Sequence, residues 1–397
     1  MNRTCTHFVI ACIILACVTS RAMACLWDVD TLLDEQRGMP TVASILAGKW
    51  ERHSAFFYEN RIAASRKTLE SDPKNLAAMD DLAVALEKTG RVNDAIDVMK
   101  RKLELDPNGY TTHANLGTFY LHSGDFDAGI THIKRALEIN PDAHFGRERF
   151  QLMVAEYIRD GKKNPAVFAS GSFVTPLIVG EGNDTRKKVG DEEYYKNLAD
   201  SREMIYAGRR RDNPEITKAI EGVVGMIRFG TGTSPDLFFA LGDLLAARQD
   251  RHLAYRAYHR AAELGHRDPK QVRDAMERMR SFHEDTRNFS DDVIAAERKD
   301  GAAWLAAYQA YEDDLLRAGR DTANPAQFAA FYKKHGDPRD KPAIASLWLA
   351  TTLGAIRRNR LITLLIAAGV LAVIVYLAQH WKRRQPHRAA TLTTSAA

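Results

Sequence analysis

DPNGYTTHANLGTFY, residues 106–120, places Gly117 in the middle of a helical pattern and Tyr120 three residues later. An interior glycine costs a helix about 1 kcal/mol relative to alanine. The missing side chain must therefore suit a neighbour, and a second helix lying too close for a Cβ is the reading that explains it. Leu116 and Tyr120 stand i, i+4 apart and share one helix face.

The stretch recurs. DPKN, DPNG and NPDA place Pro73, Pro107 and Pro141 at intervals of 34 residues. Between them Leu82-Ala83 answers Leu116-Gly117, Leu86 answers Tyr120, Gly90 answers Gly124 and Met99 answers Ile133. A fixed period of this length is the signature of a repeat architecture. Each unit predicts two antiparallel helices. Gly90 and Gly124 take turn conformations that cost other residues more, and the prolines stop the second helix before the next begins. One such hairpin cannot bury its apolar face alone, so the units stack.

These residues resemble the tetratricopeptide repeat. Residues 110–143 carry Leu116-Gly117, Tyr120, Gly124, Gly129, Ile133, Ala136 and Pro141 at that family's offsets; residues 76–109 carry Leu82-Ala83, Leu86, Gly90, Ala95, Met99 and Pro107. A third unit, 235–268, has Leu241-Gly242, Leu245, Ala254, Tyr258 and Ala261, with His266 where the proline would stand. Residues 42–75 read as a degenerate unit and Asn213–Gly230 as half of another. With CLWDVDTLLDEQRGMP, HANLGTFY and NPDAHFGRE, the chain also resembles bacterial exported, membrane-anchored proteins that carry such repeats.

The resemblance implies an all-α, TPR-like helical-hairpin solenoid whose first helices line a partner-binding groove. By register those positions are Ala77, Asp80, Val84, Glu87 and Lys88, then Thr111, Ala114, Thr118, Leu121 and His122, and in the third unit Asp236, Phe239, Asp243, Ala246 and Ala247. Asn115 alone falls on a place with which the family clamps a terminal carboxylate; Asp80 and Val84 contradict that pattern. The mixed lining predicts a helix or an extended segment of a protein partner. The rival reading fills the groove with the chain's own segments.

Two apolar runs frame the repeats. Arg3, the run Phe8 to Val18 and Ala22-Met23-Ala24 have the order of a secretory signal, expected to end at residue 24. Left uncleaved, it would anchor the N-terminus. Leu361–Ala378 holds no charge and lies between Arg357, Arg358, Arg360 and Lys382, Arg383, Arg384. With its flanks it is long enough for a C-terminal transmembrane helix, and the basic tail predicts a cytoplasmic C-terminus with the repeats on the extracytoplasmic, periplasmic side. Nine basic residues sit in these two regions without an acid; without them the net charge of +5 becomes −4. The alkaline balance thus reports membrane flanks, and no nucleic-acid partner is expected. All four cysteines lie at or before Cys25, so no internal disulfide framework supports the fold; Cys25 itself is open to an intermolecular disulfide, a free thiol or lipidation.

The expected organisation is therefore a signal over 1–24, a repeat array over 25–160 whose last helix caps it or takes the downstream repeat on its other side, and an irregular insert and linker helix over 161–213. A helical, repeat-like region comes next over 214–342, then a juxtamembrane and transmembrane segment over 343–380 and a basic tail over 381–397. The insert reads as a surface excursion or as a built-in occupant of the groove. Residues 303–318, AWLAAYQAYEDDLLRA, carry a core stripe.

No His-Glu-x-x-His, Gly-x-Ser-x-Gly or phosphate-loop pattern occurs. His252, His259 and His266 recur every seven residues, about 10.5 Å apart on one helix, too far to share one zinc. No cofactor or metal is expected. The sequence points to a non-enzymatic scaffold that gathers envelope proteins, with self-assembly, and more remotely a histidine-based metal carrier or enzyme, as rivals.

Overall fold

A computed structural model describes residues 26–142, 146–180, 192–207, 212–230, 232–282 and 289–340. The expected signal, Cys25, the membrane span Leu361–Ala378 with its flanks, and the tail lie outside the described residues. The chain divides into two contact units, 1–339 and 340–397, and every described helix belongs to the first.

Every regular element among the described residues is helical. In chain order these are α1 (Val29–Gln36), α2 (Val42–Ala47), α3 (Ala55–Ser71), α4 (Leu76–Lys88), α5 (Val92–Leu105), α6 (Tyr110–Ser123), α7 (Phe126–Ile139) and α8 (Glu148–Lys163). Two short helices, α9 (Pro165–Ala169) and α10 (Thr175–Val179), precede α11 (Glu192–Asp200) and α12 (Glu203–Tyr206). Then come α13 (Pro214–Phe229), α14 (Pro235–Ala247), α15 (Arg251–Glu263), α16 (Pro269–Ser281), the long α17 (Asp291–Arg317), a 3-10 turn (Pro325–Phe328) and α18 (Ala329–His335).

From α3 to α8 each helix packs on the next, and α13 to α16 repeat that order. Local chemistry sets the boundaries. Asn75, Asp125 and Ser234 cap α4, α7 and α14 by accepting a backbone N–H of the first turn. Gly90 and Gly124 sit at φ +83° and +94° where the expected turns lie. A Cβ on Gly117 would stand 2.6 Å from Ile133 Cγ1 and 3.1 Å from its backbone nitrogen, so α6 and α7 touch where the sequence asked for room. Gly242 serves α14 and α15 alike: its Cβ would meet the Tyr258 ring at 2.4 Å. Gly117→Ala is expected to lower stability by about 1 kcal/mol, because overpacking typically costs more than the helix gains. A urea melt reads the sign; a stabilised variant would mean that Ile133 yields freely.

Two expectations change and a third is decided. The degenerate unit at 42–75 is not a hairpin: α2 packs against α13, α15 and α17. Its apolar residues Ile45 and Leu46 join the cluster formed by α8, α13 and α14. Of the two readings of α8, a cap on the first array or a support for the downstream helices, the second describes it, since it is covered on both sides. Phe150 lies against Gly222 of α13, whose Cβ would meet it at 2.4 Å, while Val154 and Ile158 are buried. The insert is not irregular where it is described. Its first half forms α9 and α10, and Phe173, Val174 and Ile178 belong to the core. Short helices started by Pro165 and Pro176 escape a search for long apolar periods. The stripe in 303–318 is core as read: Trp304 and Tyr308 pack with Phe328 and Phe331.

Candidate functional site

Ala77 is exposed, but the other groove positions of the first array face inward, and the chain itself occupies them. Asp80 on α4 accepts from Lys102 Nζ at 2.5 Å, from Thr111 Oγ1 at 3.2 Å and from Asn115 Nδ2 at 3.1 Å. Burial pushes its carboxyl up to about 6 against the pull of Lys102. Val84, Ala114 and Leu121 are buried apolar positions. Glu87 pairs with His122 Nδ1 at 2.7 Å. Lys88 reaches the C-terminal end of α13, donating to the carbonyls of Phe229 (2.6 Å) and Gly230 (3.2 Å), and burial pulls its ammonium below the usual lysine range. Thr118 accepts from Gln151 Nε2 at 2.9 Å. The open groove expected across these residues is thus closed by segments that no repeat register brings into view.

Asn115 shows how this face is filled. Its side-chain oxygen accepts the Trp27 N–H at 2.8 Å, and its amide nitrogen donates to the Trp27 carbonyl at 2.9 Å. A side-chain amide is the one group that matches both backbone functions of a single extended residue. Leu26, 1% exposed, joins the cluster that contains Ile62, Met79 and Leu82. The Trp27 ring stands edge-on to Tyr110, with centroids 5.5 Å apart. The Val29 N–H donates to Asp81 at 3.0 Å. The place at which the family would hold a chain terminus here holds an internal peptide unit.

The acids of this segment behave as a cap and an ion pair. Asp28 accepts the Thr31 N–H at 2.9 Å and starts α1; Asp30 takes the Arg61 guanidinium on both oxygens, at 2.7 and 2.5 Å. Burial, with Asp30 and Asp81 nearby, raises the Asp28 carboxyl to about 7. Arg61, Lys88 and Tyr58 also feel its charge. Because the folded pKa lies above the unfolded one, Asp28 stabilises the fold most at acid pH and loses that contribution as pH rises from about 4 to 7. Asp28→Asn keeps a capping side chain and removes the titration. Between pH 5 and 8 the wild type is expected to lose roughly 2 kcal/mol more than this variant, as read from paired urea melts. Parallel curves would show that Asp28 is ionised in the fold.

The third unit is filled in the same way. Asp236 pairs with Arg267, and His266 lies at 3.8 Å. Phe239 packs against Tyr258 and His266, with centroids at 5.4 and 4.5 Å. Asp243, fully buried, accepts from Ser172 Oγ at 2.6 Å, Tyr258 OH at 2.7 Å and Arg202 Nη2 at 3.3 Å. Ser172 comes from the insert, so of its two readings the groove occupant describes residues 172–179. The three spaced histidines have separate surroundings: His252 stacks on Phe289, His259 lies 3.2 Å from Glu263, and His266 faces Asp236. Among the described residues no three His, Cys, Asp or Glu side chains gather as a metal site, and no helix is long and apolar enough to cross a membrane.

Two open depressions lie elsewhere. One, of about 370 Å³, has Leu69, Leu82, Leu86 and Val98 in its lining, with Arg66 and Arg101 beside Glu70 and Asp94. The other, of about 470 Å³, is polar and runs between Tyr206 and Arg278. Neither contains a groove residue expected from the register.

Residues that the register missed, namely Leu26, Trp27, Gln151, Ser172 and Arg202, act from outside the repeats. The only signal for the first two was an apolar pair just before a capping aspartate.

Comparison with known proteins adds one assignment. No curated protein matches the chain. Among solved structures, the assembly chaperone of RpL4 (Acl4), residues 1–338, is 14% identical and aligns over 62% of this chain and 99% of that one, with a TM-score of 0.23. An overlap this loose carries no argument about fold or partner. Residues 110–143 match the family model of the tetratricopeptide repeat. Residues 110–143 therefore carry a tetratricopeptide repeat, set among described elements that are all helical.

Proposed function

We propose that this protein is a non-enzymatic scaffold that binds extended segments of partner proteins. On this reading it is exported and held by one C-terminal span, with the repeats on the extracytoplasmic side, where it gathers envelope proteins. The observation that carries the binding role is Asn115, whose amide engages the N–H and C=O of one extended residue, Trp27. Such a contact reads backbone rather than side chain, which is how a groove accepts segments of differing sequence. The tetratricopeptide match at 110–143 contains that asparagine. The order of basic, apolar and small residues at the N-terminus and the uncharged run Leu361–Ala378 support export and anchoring.

Photo-crosslinking in intact cells tests the reading, with crosslinkers placed at exposed positions such as Ala77 and Arg101 beside the first array. Identification of a distinct envelope protein is the expected result. Recovery of this chain alone would favour self-assembly, and recovery of nothing would remove the scaffold role.

A further inference from the structure

We propose that Leu26–Trp27 is a resident ligand, and that the face made by α4 and α6 exchanges it for an extended segment of a partner protein with the same order of side chains: aliphatic, then aromatic. The inference rests on the scaffold reading and adds to it a partner chemistry and a means of control.

The occupant itself states what the face accepts. The backbone of one residue is taken by Asn115, and the residue before it fills an apolar hole: Leu26 is 1% exposed. The aromatic ring meets Tyr110 edge-on at 5.5 Å. The following carboxyl is buried, and one residue later Val29 is already 40% exposed, with its N–H on Asp81. Any polypeptide supplies the backbone groups; the side-chain order supplies selectivity.

The segment is also built to leave alone. Downstream, α1 is pinned independently by Asp30 to Arg61, by Glu35 to Arg147, and by Arg228 donating to the carbonyls of Asp34 (3.0 Å) and Gly38 (2.9 Å). Asp28, the cap, has extended backbone (φ −151°, ψ 175°). Rotation there lifts residues 26–27 without unwinding α1. A tethered occupant competes at an effective concentration on the order of millimolar. A free partner of moderate affinity therefore binds only when its own contacts exceed those of Leu26 and Trp27.

The test uses the full chain in detergent micelles and a fluorescein-labelled peptide, LWDVDTLLD, the sequence of residues 26–34. The double variant Leu26→Ser, Trp27→Ala is expected to bind it at least about tenfold more tightly than the wild type. A peptide with alanine for the tryptophan should bind the variant more weakly. Equal binding to wild type and variant, or indifference to the tryptophan, overturns the proposal. Should the variant lose its helical circular dichroism, hydrogen exchange on the wild type decides. Millimolar peptide should speed exchange of the Trp27 amide while those of α1 stay protected; unchanged rates overturn the proposal. Two differently tagged wild-type copies that co-purify, and cease to do so in the double variant, would make the occupant a second copy and also overturn it. Partner recovery by crosslinking does not depend on this peptide, so the scaffold reading stands or falls separately.

Discussion

Replacing Asp243 with alanine should cost about 3–5 kcal/mol, the usual consequence of removing one partner of a buried charged pair. The carboxylate has no exposure and accepts from three donors: Ser172, Tyr258 and Arg202. Alanine leaves a largely buried guanidinium and two hydroxyls without that acceptor. Each such loss is expensive because water cannot replace the missing oxygen. Asp243→Asn supplies one oxygen in place of two and no charge, so its loss should be intermediate. Urea unfolding followed by tyrosine and tryptophan fluorescence measures both variants. A loss under about 1 kcal/mol for alanine would mean that the three donors find other acceptors, and that residues 172–179 are not held through Asp243. The experiment also bears on the groove, since Asp243 is the position at which the register expected a partner's contact.

A single methyl at position 301 should be nearly as damaging. Gly301 lies within the 27-residue helix α17, where helix propensity alone makes alanine better by about 1 kcal/mol. Its Cβ would sit 2.0 Å from the Ala47 carbonyl oxygen and 2.8 Å from the carbonyl carbon. Those are backbone atoms of the last turn of α2, which ends at Gly48 with φ +82°. No rotamer relieves the contact, so the helices must part. Arg298, one turn earlier, would then lose its 3.2 Å bond to the Leu46 carbonyl. Gly301→Ala is expected to destabilise by about 3 kcal/mol, the upper end of ordinary overpacking. A thermal melt showing a raised midpoint would place α17 away from α2.

Gly117 and Gly301 mark how far the sequence could be read. Gly117 belongs to a pattern that repeats every 34 residues, and its partner Ile133 lies sixteen residues on in the same hairpin. The same local logic gave the turns at Gly90 and Gly124 and the pairing of α4 with α5 and α6 with α7. The groove positions were read from the register as one face of their helices, because i, i+4 spacing fixes which side chains stand together. Gly301 belongs to no period, and the helix it touches is more than 250 residues away in sequence.

What covers the groove was hidden for the same reason. Trp27 meets Asn115 across 88 positions, Lys88 meets Phe229 across 141, and Ser172 meets Asp243 across 71. The first and last contacts join a repeat to a segment without periodicity, the second joins a repeat to the end of α13, and nothing local in either partner encodes the other. Helical periodicity and turn glycines are short-range properties, so paired helical repeats, and the side chains that share a face of each helix, are legible from local residues alone. Which segments lie against that face depends on long-range packing, where shape and buried hydrogen bonds select among many apolar candidates. That the chain's own residues 26–29 and 172–179 fill it is a product of this long-range packing.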